Sequence, residues 1–100
     1  MTKETFDAFD LAEYATDPET QAYLLESALA SGDPTYITHA LGIIARARGM
    51  TDTAQKAGVK RETLYKALSV KGDPKLSTLL GVFRALGLKL TLEVIPDQKP

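Results

Sequence analysis

Apolar residues recur at helical spacing along most of this chain and switch to strict alternation near its end. Asp17-Pro18-Glu19 offers an oxygen-bearing cap, a proline for the first turn and an acid facing the positive end of a helix dipole. These features predict a helix from Pro18 to about Ala30, closed by Gly32. Asp33-Pro34 repeats the signal and opens a second helix that ends at Gly49, with Ile37, Ala40, Leu41 and Ile44 at i, i+3, i+4 and i+7 as its buried stripe. A third, short helix is capped by Thr51 and ends at Gly58, and a fourth runs from about Arg61 to Ser69 before the turn Lys71-Gly72-Asp73-Pro74. A fifth, from about Leu76 to Leu86, places Leu76, Leu79, Leu80 and Phe83 on one face, and Gly87 closes it.

Then the period changes. Leu88, Leu90, Leu92 and Val94 alternate with Lys89, Thr91 and Glu93, the pattern of a half-buried β-strand, which Pro96 stops. A lone strand in a helical domain has unpaired backbone donors and acceptors, so its second edge must come from another copy of the chain or from a partner protein. Ahead of the first helix, FDAFDLAEY sets Phe6, Phe9, Leu11 and Tyr14 among acids and fits a short helical turn starting near Asp10. Residues 97–100 read as a free tail.

Composition narrows the chemistry. One hundred residues make one domain, and 44% apolar content suits a small globular core. The absence of cysteine excludes disulfides, thiolate metal sites and cysteine nucleophiles. A single histidine, His39, cannot supply an imidazole cluster for zinc and reads as a surface or half-buried helix residue. No nucleophile-base pair and no phosphate-cradling glycine loop is present, so the pattern is not that of an enzyme and implies no cofactor. With no 18-residue apolar run and an acidic start, MTKETFDAFD, the expected setting is soluble and cytoplasmic, away from membranes.

The near-neutral total charge of −1 conceals a division along the chain. From Met1 to Asp33 one cation, Lys3, stands against eight carboxylates: Glu4, Asp7, Asp10, Glu13, Asp17, Glu19, Glu26 and Asp33. Between Arg46 and Lys89, ten cations stand against only Asp52, Glu62 and Asp73. The front third therefore carries −7 and the later segment +7. Such asymmetry points to two partners of opposite sign, something cationic for the front and a polyanion for the rear, unless the two halves neutralise each other within the molecule.

The stretch AQKAGVKRETLYKAL, Ala54 to Leu68, carries the most information. Two helices meeting at a steep angle need a small residue inside the first, here Ala54, and glycine at the turn, Gly58, where positive φ is expected. Val59 and Leu64 then point inward and lock the angle. Lys60, Arg61, Glu62, Thr63, Tyr65 and Lys66 remain outward, a polar and cationic face of the kind that enters a major groove. Arg61 is the first choice for a base edge, because its fork pairs bidentately with guanine, whereas Lys60 and Lys66 suit phosphates. Tyr65 fits a phosphate or sugar contact as well as it fits a cover for the core edge. Glu62 reads first as an i,i+4 pair with Lys66 and only then as an acceptor for a cytosine amino group.

The run RARGMTDTAQKAGVKRETLYKALSVKGDPKLSTLLGVFRALGLKL resembles the HigA-like addiction module antidote proteins, antitoxins with a Cro/repressor-type helix-turn-helix. The likeness reaches forward through AEYATDPETQAYLLESALASGDPTYITHALGIIARARG and so covers nearly the whole chain. It implies an all-α, five-helix repressor-like helix-turn-helix domain with an acidic N-terminal extension (1–33) and one short C-terminal β-strand closing the DNA-binding part (34–96). It further implies neutralisation of a basic toxin of the RelE/ParE superfamily and repression of a shared operon through double-stranded operator DNA. A homodimer is expected, with the strand 88–95 pairing either with its own copy or with the toxin. Several positions depart from the family pattern. Lys60 and Lys75 stand where serine often caps a helix, Asp73 where asparagine is usual, and Asp52 and Thr53 where glutamine and an apolar residue are often found.

The residues expected at DNA are Thr51, Lys56, Lys60, Arg61, Glu62, Thr63, Tyr65, Lys66, Lys71 and Lys75. Those expected at the toxin are Phe6, Phe9, Asp10, Glu13, Tyr14, Glu19 and Tyr23. Two rival readings are a stand-alone repressor without a toxin and a protein-interaction adaptor that has lost DNA binding, the latter favoured by Asp52 and by the net charge.

Overall fold

The computed structural model describes residues 17–96, and these form five helices. They are α1 (Pro18–Ser31), α2 (Pro34–Arg48), α3 (Met50–Ala57), α4 (Arg61–Ala67) and α5 (Leu76–Ala85). The domain is all-α, as the spacing requires, while the expected turn of helix near Asp10 and the tail lie outside the described residues.

Both Asp-Pro starts work as caps. Asp17 accepts from the Thr20 N–H at 2.7 Å and Asp33 accepts from the Thr35 N–H at 3.0 Å, so each satisfies a donor that the first turn leaves without an intrahelical partner. Hydrogen bonds from Thr20, backbone first, followed by the Glu19 N–H, hold the exposed Asp17 carboxyl below its ordinary value.

The third helix starts differently from expectation. Thr51 is an exposed first-turn residue and not a cap; α3 begins at Met50, immediately after Gly49, with no side-chain cap bond. The reason is that Met50 is needed in the core, at 6% exposure, which winds the helix two residues earlier than a Thr51 cap would. Thr53, where an apolar residue was expected to suit the family pattern better, is buried and donates its hydroxyl to the Gly49 carbonyl at 2.8 Å.

One core joins all five helices. Leu25 and Ala28 of α1, Ala40, Leu41, Ile44 and Ala45 of α2, Met50 and Ala54 of α3, Leu64 of α4 and Val82 and Phe83 of α5 pack together with Leu68 and Leu86. The stripe expected on α2 is buried apart from a half-buried Ile37, and Ile43 is buried as well.

The buried face of α5 keeps Phe83 and a half-buried Leu79 from the expected set but not Leu76 and Leu80. Leu76 is 66% exposed and Leu80 41%, whereas Gly81, Val82 and Phe83 are buried. Steric reasons at Gly81 explain this: a Cβ there would lie 2.8 Å from the Ala57 carbonyl oxygen, so α5 uses its glycine to approach the end of α3. An apolar-only count cannot see a glycine as a packing position.

Arg48, at the end of α2, ties three parts of the chain together. Its Nε donates to Gln21 Oε1 of α1 at 2.9 Å, and a terminal nitrogen donates to the Leu86 carbonyl at 3.0 Å. One of the ten cations counted in the basic segment is therefore a structural crosslink.

After Leu86 the chain turns at Gly87, and Leu88 donates its N–H to the Phe83 carbonyl at 2.8 Å. Among the described residues, 88–95 form no sheet pairing, since a single chain supplies no second edge. No helix among the described residues is long and apolar enough to cross a membrane.

Candidate nucleic-acid interface

The corner between α3 and α4 has the geometry the sequence demands. Ala54 is 2% exposed and Leu64 is fully buried, so both helices are pinned to the core through small or apolar anchors. Gly58 sits at φ 78°, in the left-handed region where a side chain is strained, and the Val59 N–H returns to the Ala54 carbonyl at 3.0 Å. Val59 is half-buried against the core. Fixing Leu64 inward leaves Lys60, Arg61, Glu62, Thr63, Tyr65 and Lys66 exposed on the remaining circumference of α4.

Beside that face lies a groove of about 640 Å³ between the second half of α4, the loop 69–75 and the start of α5. Thr63, Lys66, Lys71 and Lys75 all line it, together with Ser69 and Thr78. Lys66, Lys71 and Lys75, from the end of α4, the loop and the start of α5, thus converge on one concavity with a single lining carboxylate, Asp73. Gly72 makes the convergence possible. A Cβ there would overlap the backbone carbonyls of Ala67 and Lys66, so only glycine lets the loop fold onto the end of α4. Lys60 and Lys75 both occupy N-cap positions and give no side-chain cap bond, which leaves first-turn N–H groups of α4 and α5 facing outward beside a cation.

Not every expected residue joins this arrangement. Lys56 pairs with Asp52 at 3.2 Å on the exposed side of α3, so the acid that departs from the family pattern neutralises the neighbouring cation. Both partners are solvated, and such a pair is worth little to stability. The expected Glu62–Lys66 ion pair is not formed among the described residues. Arg61 instead lies over the Tyr65 ring at 5.3 Å and donates to its hydroxyl at 3.2 Å, an i,i+4 contact that spacing alone allowed and the charge count concealed. Tyr65 remains 39% exposed, so it braces Arg61 and does not seal the core edge.

Of the front-end set, Glu19 and Tyr23 lie on the exposed side of α1 with Glu26, opposite buried Gln21, Leu25 and Ala28. Tyr23 is 72% exposed. Phe6, Phe9, Asp10, Glu13 and Tyr14 lie outside the described residues. His39 is half-buried on α2. Among the described residues no group of three or more His, Cys, Asp or Glu side chains is placed to hold a metal ion.

A family model described as "Probable addiction module antidote protein" matches residues 5–94. The chain belongs to this family. A relative in Haemophilus influenzae (strain Rd), described as "Uncharacterized protein", is 42% identical over 93 residues, which span 93% of this antidote chain and 95% of the relative. No solved structure matches. Membership assigns an antitoxin role and, with it, a toxin as partner.

Proposed function

We propose that this antitoxin neutralises a basic toxin of the RelE/ParE superfamily by direct binding and, as a homodimer, represses its own operon by setting α4 into the major groove of operator DNA. The observation that supports this best is the exposed cationic face of α4, continuous with the groove where Lys66, Lys71 and Lys75 converge. α3–turn–α4 then acts as a helix-turn-helix, with Arg61 and Thr63 nearest the base edges and the lysines on phosphates. Arg61 leaves the Tyr65 ring to reach guanine, and Tyr65 takes a phosphate or sugar. A two-fold pair of subunits would read half-sites about 34 Å apart.

The exposed acidic side of α1, with Tyr23 as an aromatic anchor among Glu19 and Glu26, suits the basic toxin. The two partners then meet surfaces of opposite charge, which explains why a chain of near-zero net charge is so unevenly divided. The setting consistent with operator binding is the cytoplasm.

Electrophoretic mobility shift on the DNA upstream of its own gene tests the first half. The wild-type chain shifts the fragment, and Arg61→Ala with Lys66→Ala loses at least about 10-fold in affinity, on a scale of roughly 1–3 kcal/mol for a bidentate base contact. Equal shifts by both chains contradict the proposal. Co-purification with the product of the adjacent gene tests the second half, and failure to co-purify with a small basic neighbour contradicts it.

A further inference from the structure

The segment after α5 presents an apolar row with nothing over it. Leu90 is 47% exposed, Leu92 90% and Val94 85%, while Leu88 alone tucks against the core. Its backbone groups from Lys89 to Ile95 make no hydrogen bond to the backbone of another described residue. The row runs beside α1: Leu88 and Leu90 share a cleft with Leu25, Leu29 and Phe83, and Thr91 to Glu93 border a second one with Glu26. Neither cleft is lined by α3 or α4, so whatever covers this segment leaves the cationic face free.

The sequence of the segment is complementary to its own reverse. We infer that residues 88–94 pair antiparallel with the same residues of a second copy, about a two-fold axis through Thr91. In that register Lys89 stands opposite Glu93 twice, Leu90 opposite Leu92 twice, Leu88 opposite Val94 twice, and Thr91 opposite Thr91. Each polar cross-strand pair is then an opposite-charge or hydroxyl pair, and each apolar pair lies on the other face.

Other registers lose this match. Sliding by two residues one way sets Lys89 against Thr91 and Glu93 against Gly87; sliding the other way sets Lys89 against Ile95 and Glu93 against Thr91. A parallel in-register pair sets Lys89 on Lys89 and Glu93 on Glu93, like on like. Only one arrangement satisfies both charges, and charge complementarity therefore selects a second copy of this chain as the occupant. Pro96, which has no N–H to donate, ends the ladder. A two-stranded ribbon is marginal by itself, and here its apolar face lies against α1 of both subunits. This pairing deepens the two-fold operator binding proposed above by naming the element that builds the dimer.

Sedimentation equilibrium of the full chain tests it with Lys89→Glu, Glu93→Lys and the double exchange. The wild type is a dimer, and each single change sets like charges opposite each other twice and weakens self-association about 10-fold. The double exchange restores wild-type association, because it rebuilds both ion pairs with their signs reversed. A monomeric wild type, single variants that associate like the wild type, or a double exchange that fails to recover would each overturn the pairing. Both substituted positions, Lys89 and Glu93, are solvent-exposed, and unchanged helical circular dichroism confirms that the variants fold. Binding to a short duplex, read on the same samples, separates the two claims: a dimer that ignores DNA sinks only the operator reading, and a monomer that binds DNA sinks only this pairing.

Discussion

At the scale of single residues, the site is defined by which side chains are already engaged. Lys56 is held by Asp52, Arg48 by Gln21 and Leu86, and Arg61 by Tyr65, whereas Lys66, Lys71 and Lys75 share an open groove. A count of cations makes no such distinction, because charge is visible in a sequence and the partner of a long side chain is not. The caps show the opposite case. Asp17 and Asp33 act through local geometry, three residues and two residues from their donors, and both were legible from the Asp-Pro pattern. Asp17 also makes a testable pH response. Its folded-state carboxyl is lowered, so the unfolded chain binds its proton first as pH falls; the stabilisation is present above the ordinary carboxylate range and is lost below it, as pH passes through the lowered value. Acid titration of helix content should therefore show Asp17→Asn, which keeps a capping oxygen, losing less stability between neutral and acid pH than the wild type. Identical acid profiles for the two chains would remove Asp17 from the account.

At the scale of elements, helix existence followed from periodicity, while helix orientation depended on glycines. The spacing gave all five helices to within one or two residues, yet it placed Leu76 and Leu80 on the buried side of α5. The position that decides this face is Gly81, whose missing side chain lets α5 meet the end of α3. Gly81→Val should destabilise the fold by about 1–3 kcal/mol, the range for overpacking, despite a small gain in helix propensity. Thermal unfolding reads this as a fall of roughly 4–8 °C for each kcal/mol in a domain this small. A Val variant as stable as the wild type would mean that the α3–α5 approach is looser than described. The corner at Gly58 was legible for a related reason: left-handed backbone has a residue signature, and close approach between helices has none beyond the glycine itself.

At the scale of the whole molecule, the division of charge along the chain becomes a division between surfaces. Lys66 of α4, Lys71 of the loop 69–75 and Lys75 at the start of α5 gather on one concave face, and Glu19, Tyr23 and Glu26 occupy the exposed side of α1. The groove itself could not be read from the sequence, because it depends on a loop that folds back through Gly72. The alternation at 88–94 was legible as a strand pattern but not as a strand, since strand structure is a property of two edges and one chain holds only one. The central claim is that the α4 groove binds a polyanion through its lysines. Its most direct measurement is the salt dependence of binding to a fluorescent duplex carrying the upstream sequence, for the wild type and for Lys66→Gln, Lys71→Gln and Lys75→Gln. The logarithm of the affinity should fall linearly with the logarithm of salt concentration, and each substitution should reduce that slope by about one phosphate contact. Binding that does not respond to salt, or slopes unchanged by removal of all three lysines, would contradict the account.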